Sequence, residues 1–319
     1  MSQIEIKILK QGDINKNVIS CSFFTMKDAY RKKEQYVNNL QLFCNTSKKP
    51  GFSCRIYTDD SGKEDSLRIA EKYPHVSVYH FNCPEFREEV GHVGTFGTVA
   101  RFLPLFEEGL DLVWVSDIDV PSVYLNNEQI EQLKKYKCDI YYRTFLCYER
   151  KLYGRKYTIL AGTILSGIQF PKQLLTRFLN TVIDGKQNDM IDKLNAENTR
   201  KPPSKFPYGL DEVFTNSTFY NYLIRHNYKC LIHKDYARAG MYLKYEGLLN
   251  EEETTLFHKY YSMPNHLGIF NKIKKILIAR LPSVITPETT CLQEALDLMP
   301  TFKTLLSKLY VAQGKELEF

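Results

Sequence analysis

The sequence predicts an α/β fold with a mainly parallel central sheet flanked by helices. Short apolar runs rich in strand formers recur at Val18–Phe24, Ser53–Thr58, Val76–Phe81 and Leu112–Val115. Segments with helical apolar spacing separate the first three, giving a β-α-β-α-β order that a parallel, doubly wound sheet satisfies. With 319 residues, of which 43% are hydrophobic, the chain can bury the large core such a sheet needs.

Taken in order, residues 1–16 are polar and mixed and read as a lead-in. The first strand, Val18–Phe24, is followed by a helix over about Ala29–Cys44, in which Tyr36, Leu40 and Phe43 recur at helical spacing. Pro50-Gly51 ends that unit, and the second strand closes on Asp59-Asp60-Ser61-Gly62. A second helix, about Asp65–Lys72, leads through Pro74 to the third strand. The stretch Gly94–Phe106 then reads as a glycine-entered helix that carries Thr98 and Arg101 on one polar face.

The next strand ends in Ser116-Asp117-Ile118-Asp119. In extended chain, residues two apart project from one face, so both carboxylates point the same way. Paired hard oxygen donors suit Mg²⁺ or Mn²⁺, whose remaining ligands commonly come from substrate phosphates. Arginine, with its planar fork of donors, suits phosphate contact. In open α/β sheets ligands bind beyond the carboxyl ends of the strands, which would bring Phe23–Met26, Asp59-Asp60 and Asp117–Asp119 to one edge.

Further on, 127–135 reads as a surface helix, 138–145 as a strand and Ile159–Ile168 as an apolar strand of small residues. Gln173–Ile183 is an amphipathic helix and 184–205 a polar insertion. Tyr208-Gly209 feeds Asp211-Glu212 at the start of a helix running to Arg225, and a late strand covers 228–233. The basic amphipathic segment 269–281 reads first as a helix packed on the domain and, as an alternative, as a contact with an anionic membrane.

Composition excludes several classes. A net charge of +6 is mild, and no basic stripe interleaved with aromatics marks a nucleic-acid binder. The eight cysteines are scattered with no C-x-x-C pair, as in a reduced protein without a zinc site. No apolar run of signal-peptide or membrane-spanning length occurs, which gives a cytoplasmic expectation. The glycines match neither a dinucleotide fingerprint nor a P-loop.

The order of strand, arginine-bearing helix, strand ending D-x-D, Ala161-Gly162 strand and Gly-x-Asp-Glu segment resembles nucleotide-sugar glycosyltransferases of the GT-A, Rossmann-like fold. Within these it looks most like the group containing glycogenin and bacterial lipopolysaccharide galactosyltransferases. The resemblance covers about Val18 to His258 and implies a GT-A domain over 1–268; the residues after it read as a C-terminal helical extension, 269–319, packed on that domain. It implies Mn²⁺ or Mg²⁺ held by Asp117, Asp119 and His258. It implies a nucleoside diphosphate-sugar donor, UDP-linked by preference, lined by Ser22, Phe23, Phe24, Thr25, Asp59, Asp60, Thr98, Arg101, Asp117, Ala161 and Gly162. Asp211 and Glu212 would face the sugar and a hydroxyl acceptor on a glycan, protein or lipid. Leu160, where relatives carry a polar residue, and the chain after His258 depart from the group's pattern. A nucleotidyltransferase and a catalytically inactive glycan- or partner-binding module are the competing classes, and the former normally brings a glycine-rich basic loop that is missing here.

Overall fold

The computed structural model describes residues 4–26, 32–119, 125, 127–145, 159–197 and 203–235. The chain divides into two compact units, one of residues 1–142 and 160–228, the other of 143–159 and 229–319. His258, the 269–281 segment and the C-terminal extension lie outside the described residues. In the second unit the described strand is Cys230–Asp235.

The first unit is a mixed sheet with a parallel centre. Strands β2 (Asn17–Phe23), β3 (Phe52–Thr58), β4 (Val76–Asn82) and β5 (Leu112–Ser116) run parallel in the order β4-β3-β2-β5. Antiparallel strands flank them: β1 (Glu5–Lys10) pairs β4, while β7 (Thr163–Ser166) pairs β5 and is followed by β6 (Ile140–Phe145). The α/β class and parallel core expected from the sequence are present. The four central strands are apolar almost throughout because helices cover both faces, and Val18, Ile19, Ile56, Val78, Trp114 and Val115 are fully buried.

Helix α1 (Lys33–Thr46) buries Leu40, Phe43 and Cys44, and α2 (Lys63–Ala70) buries Ile69 and Ala70. α3 (Asn127–Tyr136) and α4 (Gln173–Ile183) follow the expected amphipathic pattern. Four features depart from the sequence reading. The lead-in contains β1, an edge strand whose residues 5–8 are all exposed. The Arg101 segment, Phe96–Phe106, is a 3₁₀ helix rather than an α-helix, with Pro104 inside it. The polar insertion carries α5 (Asn188–Glu197), which buries Ile191 and Leu194. The helix after Gly209 is α6 (Leu210–Phe214), a π turn over Thr215–Phe219, then α7 (Tyr220–Arg225).

The free cysteines among the described residues are Cys21, Cys44, Cys54, Cys83, Cys138 and Cys230, mostly buried. Burial outweighs the pull of Arg101 and Lys10 and pushes the thiols of Cys21, Cys44 and Cys54 up, Cys54 to about 12, so these three sit in the core as unreactive small hydrophobes.

Candidate active site

Three parallel strands deliver their carboxyl ends to one edge of the sheet. Phe23 lies beside Thr58, and Ser20 beside Val115, so the residues that follow β2, β3 and β5 emerge together. Those residues are Phe24-Thr25, Asp59-Asp60 and Asp117 to Asp119.

Arg101 joins this edge to α6. Its 3₁₀ segment is fastened beneath β2 by the Ser20 hydroxyl, which donates to the Arg101 carbonyl at 2.5 Å. The side chain is buried, with Arg101 5% exposed overall. Nη1 donates to Asp117 Oδ1, and Nη2 donates to Asp211 Oδ2 at 2.7 Å. The Asp117 amide is held by the Gly162 carbonyl at 2.9 Å, and the second oxygen of Asp211 accepts the Glu212 amide at 3.0 Å. The guanidinium also lies over the Phe102 ring, 5.2 Å from its centroid.

The electrostatics of the cluster are unbalanced. Burial disfavours the Arg101 charge, but Asp117 and Asp211 outweigh it and hold the guanidinium pKa above its ordinary value. Burial raises the Asp117 carboxyl; Arg101 opposes this, while Asp211 and Asp119 push it further up. The Asp117 side chain keeps 34% exposure, so solvent moderates the shift. Asp117 and Asp211 therefore share one buried guanidinium, with Asp119 and Glu212 close to them along the chain. That donor set fits a hard divalent cation taking the remainder of its shell from a ligand's oxygens. Among the described residues no three His, Cys, Asp or Glu side chains converge as a complete metal site.

A cavity of about 970 Å³ is lined by segments that flank the cluster residues in the sequence. Thr25 and Met26 form one wall, residues 85–95 a second, and Asn195 with residues 203–208 a third. It adjoins the charged cluster along the chain at two points: Thr95 immediately precedes the Arg101 segment, and Tyr208 stands three residues before Asp211. Tyr208 is 62% exposed and interacts electrostatically with Arg101. Thr95 ties the second wall to the third, since its amide donates to the Phe206 carbonyl at 2.9 Å and its hydroxyl reaches the Phe206 and Pro207 carbonyls.

Gly94 makes this junction possible. Its φ of +54° is left-handed, and a Cβ there would collide with Ser204 Oγ and the Phe206 carbonyl. Gly94→Ala is expected to cost about 2 kcal/mol from backbone strain and collision, read as a lowered denaturation midpoint. An unchanged midpoint would show that the two walls are not fixed through this contact.

The structure gathers Arg101, Asp117 and Asp211 into direct contact. Asp119 is half-buried two residues beyond Asp117, and Glu212 is half-buried beside Asp211. Thr25 lines the cavity, and Phe24 lays its ring where a Cβ on Gly97 would fall. Phe23 is buried in the core, and among the described residues Ser22 Oγ is buried without a hydrogen-bond partner. Thr98 donates its hydroxyl to the Thr95 carbonyl at 2.8 Å, and Ala161 is buried next to the Gly162 that anchors Asp117. Asp59 is 1% exposed and bound to His92, while Asp60 faces outward to Arg87 and His80. Sequence reasoning placed Gly94 and Thr95 at a flexible helix entry and Tyr208 in a turn but gave none of them, nor His92, a role in the site. The left-handed glycine at 94 and the Pro207-Tyr208-Gly209 turn were the available signals.

No protein-family model and no curated protein matches the chain. Among solved structures it is similar to the glycosyltransferase GlyE of Streptococcus pneumoniae TIGR4, at 13% identity and a TM-score of 0.34. That match covers 94% of this chain and 64% of the other. The apo form of the same glycosyltransferase matches at 11% identity and a TM-score of 0.30, over 95% and 65%. The chain thus spans a little under two thirds of those chains, and at such scores the likeness carries no weight on fold or activity. Among the described residues no helix is long and apolar enough to cross a membrane.

Proposed function

We propose that the protein is a metal-dependent glycosyltransferase that moves a sugar from a nucleoside diphosphate-sugar, UDP-linked by preference, to a hydroxyl acceptor on a glycan, protein or lipid. The observation that carries the reading is the buried Arg101 bridging Asp117 and Asp211 at the carboxyl edge of the parallel strands. A cavity large enough for a sugar ligand is lined by Tyr208, which interacts electrostatically with Arg101.

In this reading Asp117 and Asp119 hold Mn²⁺ or Mg²⁺, which supplies charge neutralisation for a departing diphosphate. Arg101 orients Asp117 and Asp211 at once, and its permanent charge sits where the leaving group's negative charge develops. Thr25 and the end of β2 border the nucleoside. Asp211 and Glu212, at the first turn of α6, face the sugar and the acceptor hydroxyl, where a carboxylate can accept a proton. Tyr208 offers an exposed ring to an acceptor sugar in the cavity.

The test is a panel of UDP-, GDP- and ADP-sugars with MnCl₂, followed by melting temperature and by release of free sugar, which needs no acceptor. At least one donor should raise the melting temperature in a Mn²⁺-dependent way and undergo slow hydrolysis. Neither response with any donor would leave the binding-module reading in its place. Release of pyrophosphate from a nucleoside triphosphate instead would favour a nucleotidyltransferase.

A further inference from the structure

Residues 85–93 form a small hairpin that walls the cavity. Arg87 and His92 make an isolated antiparallel bridge, the Glu88 amide donates to the Gly91 carbonyl at 3.0 Å, and the Val93 amide donates to Phe86 at 2.9 Å. The hairpin tip is exposed, with Val90 at 69%. Its own ladder is too short to be stable alone, so other groups must fix it.

Both clamps come from one dipeptide at the end of β3. On the inner side, His92 and Asp59 are each 1% exposed in their side chains and 3.0 Å apart. The Cys83 amide donates to His92 Nε2 at 3.0 Å, and an amide can only donate. His92 Nε2 is therefore the acceptor, and Nδ1 carries the hydrogen that Asp59 Oδ2 receives. The ring is sandwiched against Phe96 and Phe81, at 5.2 and 4.9 Å between centroids. Gly91 has φ of +95°, and a Cβ there would come within 2.8 Å of Asp59 Oδ2, so the backbone runs directly over this carboxylate. On the outer side, Asp60 pairs with Arg87 through Oδ2 and with His80 through Oδ1 at 3.0 Å.

The same dipeptide also holds a second lining segment. Asp59 Oδ1 accepts from the Ser61 amide at 3.0 Å and from the Ser61 hydroxyl at 2.5 Å. The Ser61 oxygen accepts the Thr25 amide at 2.9 Å, and the Thr25 hydroxyl donates to the Ser61 carbonyl at 3.3 Å. Thr25 and the 85–93 hairpin are thus both suspended from Asp59 and Asp60, and both line the cavity.

We propose that Asp59 and Asp60 are positioning residues that set the separation of the Thr25 wall and the 85–93 wall, and so fix the cavity for its ligand. For Asp59 this role takes the place of direct contact with a nucleoside, because both oxygens are engaged and the group is sealed from solvent. The kinetic arm below rests on the glycosyltransferase reading, whereas the exchange arm does not.

Asp59→Asn risks the fold, so the test uses the outer clamp. Amide hydrogen exchange is followed in Asp60→Ala, Arg87→Ala, Arg87→Lys and the Asp60→Ala/Arg87→Ala double variant. Each alanine variant should speed exchange at residues 88–93 about fivefold, with β2 and β3 unchanged. The double variant should be no faster than either single, and Arg87→Lys should restore most of the protection. With the best donor of the panel, Arg87→Ala should raise KM about fivefold with a much smaller effect on kcat. Unchanged exchange, additive effects, or a fall in kcat matching the rise in KM would overturn the proposal. If the unaltered protein hydrolyses no donor, the glycosyltransferase reading fails and the exchange result alone decides the clamp.

Discussion

Arg101→Met loses about 3–5 kcal/mol of stability, the cost expected when one partner of a buried ion pair is removed and the other charge is left uncompensated. Methionine keeps the aliphatic stem of the side chain, so the loss reports chiefly the missing guanidinium. Two carboxylates, Asp117 and Asp211, lose their shared donor at one stroke, and the Asp211 side chain has only 11% exposure with which to recruit water. For a chain of this size, 3 kcal/mol corresponds to roughly 4–5 °C in melting temperature. The pH dependence has a definite sign. The Asp117 carboxyl is already raised by burial and by Asp211 and Asp119, and losing Arg101 removes the group that pulls it down. A carboxyl raised in the folded state contributes stability below its unfolded value, and that contribution disappears as pH climbs through the folded value. The deficit of Arg101→Met should therefore shrink as pH falls toward 4. Adding Asp211→Asn should recover part of the loss, because it removes one of the two stranded charges. A loss under about 1 kcal/mol, or one that is flat in pH and unaffected by Asp211→Asn, would show that the bridge is not what holds these segments together.

The parts of this arrangement that were legible in the sequence are those written locally. The apolar runs of β2, β3 and β5 announced strands because both faces of each are covered, and D-x-D at the end of the third followed directly from that strand. Strand β1 did leave a trace, Ile4, Ile6 and Ile8 alternating with Glu5 and Lys7, but the polar residues around it made the segment read as a lead-in. It is an edge strand whose Ile6 and Ile8 stay exposed. The insertion at 184–205 hid α5 because only Ile191 and Leu194 of that helix are buried, an apolar stripe too narrow to read against the polar background. Arg101 was visible as a candidate, yet its two partners lie 16 and 110 residues away, and no spacing rule connects residues so distant. The hairpin clamp was illegible for the same reason: Asp59 and His92 are 33 apart, and each looks like an ordinary polar residue until the cavity between Thr25 and Gly94 is in view.

Asp119→Ala abolishes Mn²⁺-dependent stabilisation by a nucleotide-sugar and lowers donor hydrolysis by about 10²–10³-fold, the usual cost of removing one element of a charge-stabilising site. Asp117 cannot substitute for it, since one of its oxygens is committed to Arg101. The unaltered protein should show a matching dependence on pH. In the metal-free protein the raised Asp117 carboxyl favours the protonated form, so this group's contribution to stability declines as pH rises from the ordinary carboxylate value through the folded one. Metal requires the ionised form, so protons and Mn²⁺ compete for the same oxygens. The increment in melting temperature produced by Mn²⁺ should thus grow with pH across that window, opposite in direction to the intrinsic trend. At a ligand concentration 100 times its dissociation constant it should approach about 2.7 kcal/mol. Melting curves from pH 4.5 to 7, with and without MnCl₂ and the donor, measure both slopes at once. If the Mn²⁺ increment is the same at every pH, or survives intact in Asp119→Ala, the cation binds elsewhere and the acidic pair at the end of β5 has another role. Loss of the increment in Asp119→Ala with an unchanged metal-free melting temperature places the effect on ligand binding rather than on the fold.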